Sequence, residues 1–216
     1  VSEPAADRVE RLSGALSDDT AAAIANRAFS GEKSDYVVIS RDDTYYDALS
    51  GAGLAGALNA PILLTGTSGL SDSCRAAVQS LGATHAVILG GESAVSAQVA
   101  SELQAMGLSV ERVAGDDVYG TSMACTDYLL AHGGSAQYAI ACNPTSFVDA
   151  VSISGWAYRN KVPVMLQTWG SSAADRGFDA AAASVISGRD LIVCGGAGAV
   201  TDESVSGLGA ASVTRL

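Results

Sequence analysis

Two aspartates, Asp47 and Asp149, stand 102 residues apart, and each is followed three positions on by a serine, Ser50 and Ser152. Two glycine pairs, Gly90-Gly91 and Gly195-Gly196, each separate an apolar run from an amphipathic stretch. These groups could do chemistry. A carboxylate can serve as acid, base or ligand oxygen, and a glycine turn can aim backbone N–H groups at a phosphate. Each also has a plainer reading. An aspartate at a helix start satisfies free N–H groups and complements the helix dipole; it could equally touch a ligand at the carboxyl edge of a parallel sheet. A nucleophilic serine needs a Gly-x-Ser-x-Gly elbow and a histidine, and Ala48-Leu49-Ser50-Gly51-Ala52 lacks the elbow. The stretch Gly90-Gly91-Glu92-Ser93-Ala94-Val95 contains neither Gly-x-Gly-x-x-Gly nor a Walker pattern, and Glu92 would repel a phosphate. The glycine pairs therefore read as tight turns or as ligand contacts.

The remaining reactive side chains are sparse. His85 and His132 have no counterparts across the repeat described below, and neither adjoins a matching Asp or Cys, so no catalytic residue is assigned. Cys74, Cys125, Cys142 and Cys194 form no Cys-x-x-Cys pair, which excludes a zinc knuckle or a thioredoxin motif; Cys142 and Cys194 end apolar runs and read as small buried thiols. The acid pairs Asp42-Asp43 and Asp116-Asp117 lack calcium-loop spacing and read as solvated loops, so no metal and no cofactor is expected. Among the aromatics, Tyr45, Tyr46 and Phe147 flank the two aspartates. Trp156 falls in a helical pattern, and Trp169 lies in a Gly/Ser loop, the better surface for stacking on a sugar.

The elements that hold these residues follow from a repeat. Val9-Glu10-Arg11-Leu12 returns as Val110-Glu111-Arg112-Val113 and as Val213-Thr214-Arg215-Leu216. Between these marks, Pro61-Ile62-Leu63-Leu64 matches Pro163-Val164-Met165-Leu166, and Val87-Ile88-Leu89-Gly90-Gly91 matches Ile192-Val193-Cys194-Gly195-Gly196. Gly14 and Thr20 match Gly115 and Thr121. An ordered series at near-constant offset indicates duplication. The units run over 9–109 and 110–212, and 213–216 is either a closing strand or the start of a third copy.

Apolar runs near Tyr36–Ser40, Ile62–Thr65, Ala86–Gly90 and Val110–Val113 predict strands covered on both faces. In the second unit they recur near Tyr138–Cys142, Val164–Gln167, Leu191–Cys194 and Val213–Leu216. Helices are predicted near Asp18–Ala28, Tyr46–Leu58, Asp72–Leu81 and Ser96–Met106, then near Tyr119–Ala131, Asp149–Arg159, Ala173–Ile186 and Asp202–Leu208. Ser17, Ser71 and Ser96 suit N-caps; Gly82 and Gly107 suit helix ends. Strand–helix alternation predicts an α/β fold with mostly parallel sheets, and the absence of a linker predicts that the units pack closely.

Composition narrows the partners. The net charge is −11, and both halves are acidic, so phosphate neutralisation on nucleic acid and attraction to an anionic membrane are both unexpected. No run reaches the roughly 18 apolar residues of a membrane span. Residue 1 is Val, so the chain reads as excised or processed, and the absence of a signal peptide says nothing about export.

The same residues resemble a known family. Arg11-Leu12-Ser13-Gly14 with Thr20-Ala21-Ala22-Ala23-Ile24-Ala25 is similar to the opening of the cell wall binding repeat 2 family. So are Asp47-Ala48-Leu49-Ser50-Gly51, Pro61-Ile62-Leu63-Leu64-Thr65 and Val87–Gly91 with Ala94-Val95-Ser96. Unit two departs at Ser154–Trp156, and at Leu166-Gln167-Thr168-Trp169 where the family reads Leu-Leu-Thr. The resemblance implies tandem Toprim-like or Rossmann-like units, commonly three. It implies a non-catalytic, extracellular module that holds a secreted protein on the Gram-positive cell wall. The partner would be an anionic secondary wall polymer or a peptidoglycan-linked glycan, with a third repeat or self-association completing the assembly. Asp47, Ser50, Gly90, Gly91, Asp149, Ser152, Gly195, Gly196 and Trp169 are the candidate contacts. A chain of net charge −11 meeting an anionic ligand needs bridging divalent cations or local arginines. A nucleotide- or phosphate-using α/β enzyme and a pure assembly domain are the alternatives.

Overall fold

The computed structural model describes residues 9–170 and 175–216. The first unit runs α1 (Ser17–Ala28), β1 (Tyr36–Arg41), α2 (Tyr46–Leu58), β2 (Ile62–Thr65), α3 (Asp72–Leu81), β3 (His85–Leu89), α4 (Ala97–Ala105) and β4 (Ser109–Val113). The second repeats it as α5 (Val118–Ala131), β5 (Tyr138–Cys142), α6 (Phe147–Asn160), β6 (Val164–Leu166), α7 (Ala180–Ile186), β7 (Asp190–Val193), α8 (Asp202–Val205) and β8 (Ser212–Arg215). The sheets have the same strand order, β2-β1-β3-β4 and β6-β5-β7-β8, and every pairing is parallel. Parallel strands need crossover helices, which is why Val/Ile-rich runs alternate with alanine-rich ones. The arginine-bearing marks of the repeat close the sheets: β4 lies beside β3 and β8 beside β7. The sequence repeat and the sheet are therefore out of phase by one strand.

Sheet one is covered on one face by α1, α3 and α4 around Val37, Ile39, Leu63, Ile88 and Leu103. Its other face meets α2 and, from the second unit, Cys125 and Leu129 of α5. Helix α2 is buried from Leu49 to Gly56, because its far side packs on sheet two with Leu49 and Ala52 against Ile140, Val162 and Val164. A helix apolar all round requires such a double burial. Its glycines permit the close approach. A Cβ on Gly53 would fall 2.1 Å from the Val162 carbonyl oxygen, and one on Gly56 would fall 1.9 Å from that of Tyr158.

Local signals set most boundaries. Ser71 accepts a hydrogen bond from the Cys74 N–H at the start of α3, and the helix ends at Gly82. The Gly14 and Gly115 N–H groups donate to the Thr20 and Thr121 hydroxyls at 3.0 and 3.2 Å, the same entry turn built twice. Two of these boundaries are corrected, and a third is met without its side-chain bond. Ser17 is inside α1, whose cap position is Leu16, with the Leu16 N–H donating to Asp19 Oδ2 at 3.1 Å. Ser96 occupies the cap position of α4 without a side-chain bond. The helix expected over 173–186 starts only at Ala180, where Asp179 accepts the Ala182 N–H at 2.7 Å. Before it, Thr168 and Gly177 form an antiparallel bridge that holds the chain extended, while 171–174 lie outside the described residues.

Asp18 ties α1 to α3. It is buried, and Ser73 Oγ donates to its Oδ2 at 2.8 Å. The Ser71 hydroxyl, then that of Ser73, hold its carboxyl below the usual carboxylate range. A depressed folded value stabilises the native state above the unfolded value of about 3.9, and that contribution is lost as pH falls through the folded value. Asp18→Ala is expected to cost about 1–3 kcal/mol at pH 7 and to flatten the acid limb of a stability-versus-pH curve measured by urea unfolding. An unchanged acid limb would show that Asp18 is not the acid-sensitive group.

Candidate functional site

At the carboxyl edge of sheet one, β3 runs into Gly90, whose φ is +89°. The Gly90 N–H donates to the Val113 carbonyl at 2.9 Å, and Arg112 Nη1 donates to the Gly90 carbonyl at 2.7 Å. Asp47, in the first turn of α2, lies against the same residue: a Cβ there would fall 2.4 Å from Asp47 Oδ2. Glycine is required by both the backbone and the carboxylate. Sheet two repeats the corner. Gly195 has φ +98°, a Cβ on it would fall 2.4 Å from Asp149 Oδ2, its N–H donates to the Leu216 carbonyl at 3.1 Å, and Arg215 Nη1 donates to its carbonyl at 2.7 Å.

Gly91 and Gly196 differ from their partners. A Cβ on either meets open space, while their carbonyls accept the N–H groups of Ala94 and Val95, and of Ala199 and Val200, which closes the turn. The first glycine of each pair is thus fixed by packing, and the second is the freer face of the turn.

The two corners differ in access. In unit one, burial raises the Asp47 carboxyl above the usual range against the pull of Arg41, whose guanidinium is already paired with Asp43 at 2.5 and 2.6 Å. In unit two a cavity of about 200 Å³ opens on Asp149, Ser152, Ile153, Cys194, Gly195 and Leu216. Ser50 is buried, with no hydrogen-bond partner for its hydroxyl among the described residues. Ser152 is exposed and donates to the Val148 carbonyl at 2.8 Å. The structure therefore brings each aspartate against its glycine, whose carbonyl the arginine holds, but leaves the two serines in unlike surroundings.

Trp169 stands apart from both corners. Its N–H on the backbone donates to the Tyr119 hydroxyl at 2.9 Å, and the Arg176 guanidinium covers its ring at 3.7 Å from the centroid. One face of the ring is thus taken by a cation–π contact. Tyr45 packs on Tyr46 and Phe147 at 4.7 and 5.2 Å, an aromatic bridge between the starts of α2 and α6. The histidines lie elsewhere: His85 stacks on Tyr36 and His132 on Tyr128. Among the described residues no three of His, Cys, Asp and Glu gather as a metal site, and no helix is long and apolar enough to cross a membrane.

In the sequence Arg112 and Arg215 stand out only as marks of the repeat, not as parts of the corner. The signal was available: each follows the first glycine of its pair at a similar distance, 22 and 20 residues.

The sequence profile of Cell wall binding domain 2 (CWB2) matches residues 11–100 and 112–205. The chain belongs to this family. Each CWB2 match contains one of the two corner aspartates and the glycine pair it packs against, while Arg112 opens the second match and Arg215 lies beyond both. A relative in Bacillus subtilis, N-acetylmuramoyl-L-alanine amidase LytC, is 27% identical over 197 residues, which is 90% of this chain and 37% of that protein. The amidase enhancer of the same organism is 27% identical over 73% of the chain and 21% of its own length. The solved structure of Cwp8 from Clostridium difficile superposes with a TM-score of 0.81 at 27% identity, covering 95% of the chain and 34% of Cwp8. The CWB2 chain thus spans about a fifth to two fifths of these proteins. It carries tandem α/β units with small parallel sheets, as expected from the sequence.

Proposed function

We propose that the chain holds the protein that carries it on the outside of a Gram-positive wall, binding an anionic secondary polymer or a peptidoglycan-linked glycan without turnover. The observation that carries this reading is the corner built twice, in a family defined by cell wall binding. Asp47, Gly90, Gly91, Asp149, Gly195 and Gly196 form it, with Ser152 at the open corner of unit two, Trp169 as a separate contact and Ser50 buried beneath the surface, while Arg112 and Arg215 hold the glycine carbonyls, Arg215 also pairing with Asp202 at 2.6 Å. The functional units are 9–109 and 110–212, each sheet closed by the strand that follows.

Retention on purified walls tests the proposal. The chain is expected to sediment with intact walls and to be lost from walls stripped of secondary polymer. Equal retention on stripped walls would contradict polymer recognition, and release of wall fragments would contradict the absence of turnover. The paired change Asp47→Asn and Asp149→Asn is expected to weaken retention about tenfold, the effect of removing charged hydrogen bonds. It should not lower stability at pH 7. The raised Asp47 value means that its carboxylate is a cost to the fold above that value, a cost relieved only at lower pH. Undiminished retention would remove the aspartates from the site.

The assembly reading has its own support. Val151 and Leu216 are 52% and 67% exposed, while their unit-one counterparts Leu49 and Val113, which face the second unit, are 4% and 5% exposed. Ile24 is 49% exposed, and its counterpart Cys125 is 1% exposed. These apolar positions suit burial by a third repeat or by a second copy. Sedimentation at rising concentration should show self-association; a strict monomer would mean that two units suffice.

A further inference from the structure

On sheet two, Cys142 ends β5 and Cys194 follows β7. The register sets Ala141 opposite Val193, and the Cys194 N–H donates to the Ala141 carbonyl at 2.9 Å. One residue further on, the two thiols are lateral neighbours on one face of the sheet, in one cluster with Ile140 and Leu166. Neighbouring strands lie about 4.8 Å apart, inside the range of about 4.4–6.8 Å between the Cα atoms of a disulfide. All four cysteines are unpaired in the structure. Cys74 and Cys125 lie in two other clusters, and burial pushes the Cys74 thiol up to about 12 and the Cys125 thiol higher still. Cys194 behaves otherwise. A hydrogen bond from Cys142 holds its thiol below the ordinary value, against the opposing effects of burial and Asp149. The cavity of about 200 Å³ beside Asp149 also reaches Cys194, whereas Cys142 has no exposed surface. The matching positions in unit one are Ser40 and Leu89, so this chemistry belongs to unit two alone.

We propose that Cys142 and Cys194 form a reactive dithiol site whose substrates are small-molecule disulfides. The Cys194 thiolate attacks one sulfur of the disulfide RSSR, forming a mixed disulfide and expelling RS⁻. Cys142 then loses its proton and attacks Cys194 Sγ, expelling the second RS⁻ and forming the Cys142–Cys194 bond. Two protein thiols are oxidised and one disulfide is reduced to two thiols, with the two protons taken up by the leaving thiolates. The product ties β5 to β7 at the edge that carries Asp149 and Gly195.

Cystamine is the probe, because its ammonium groups suit the Asp149 carboxylate. The native chain is treated with it, quenched with acid, alkylated in denaturant and mapped by mass spectrometry. The expected result is a linked Cys142–Cys194 peptide with Cys74 and Cys125 alkylated. Cys142→Ser should retain one cysteamine on Cys194, and Cys194→Ser should carry none. Four alkylated cysteines in the unaltered chain would overturn the proposal. So would a mixed disulfide on Cys194 that persists while Cys142 is present, or an adduct of equal yield in Cys194→Ser.

Discussion

Gly56→Ala is expected to destabilise the chain by about 3 kcal/mol, the upper range for overpacking a tight contact. The added methyl would fall 1.9 Å from the Tyr158 carbonyl oxygen and 2.7 Å from its carbon. Those are backbone atoms of α6, so relief requires α2 and α6 to separate as bodies. Because α2 is the element shared by both sheets, the effect should reach both units: urea unfolding should lose its single transition or shift it sharply downward. Gly155→Ala is the control. It sits one repeat away from Gly53, and a Cβ there meets nothing within 4 Å. Replacing a helical glycine at such a position is expected to be neutral or to stabilise by up to about 1 kcal/mol. If Gly56→Ala unfolds like the unaltered chain, the two units are not held by the α2–α6 contact.

The second large effect concerns the corners. Gly90→Ala and Gly195→Ala each place a methyl 2.4 Å from an aspartate oxygen, at φ values of +89° and +98°. The backbone strain alone is of order 1–3 kcal/mol per site, and the carboxylate must also move. The double variant is expected to lose wall retention at least tenfold, with stability falling by about 2–6 kcal/mol if the two sites add. Gly91→Ala and Gly196→Ala, where the Cβ meets open space, should cost little stability, so any loss of retention in them reports contact with the ligand and not folding. Full retention in the Gly90 and Gly195 variants would show that the corner is structural only.

Most of the fold was legible because duplication prints every signal twice. A Val/Ile run before a glycine pair could be a strand or a buried helix, but its recurrence about 105 residues on, after the same Pro-led run, left one assignment. Asp47 and Asp149 were likewise legible as equivalent positions. What stayed hidden depends on neighbours remote in sequence. The arginines reach their glycines only because parallel pairing brings β4 beside β3, and β8 beside β7. Ser50 and Ser152 read alike, yet one is buried and the other faces solvent. The alanine-rich stretch before Ile186 looked helical throughout. A bridge between Thr168 and Gly177 and a cap at Asp179 shortened the helix, because tertiary pairing outweighs propensity.

The most direct measurement is a titration of the isotopically labelled chain with purified secondary wall polymer, following backbone amide shifts by NMR. Saturable shifts are expected, centred on Gly90, Gly91, Gly195, Gly196 and the first turns of α2 and α6, with the polymer recovered unchanged. Shifts confined to the Trp169 loop or to the exposed face around Ile24, or no shifts at saturating polymer, would contradict binding at the corners.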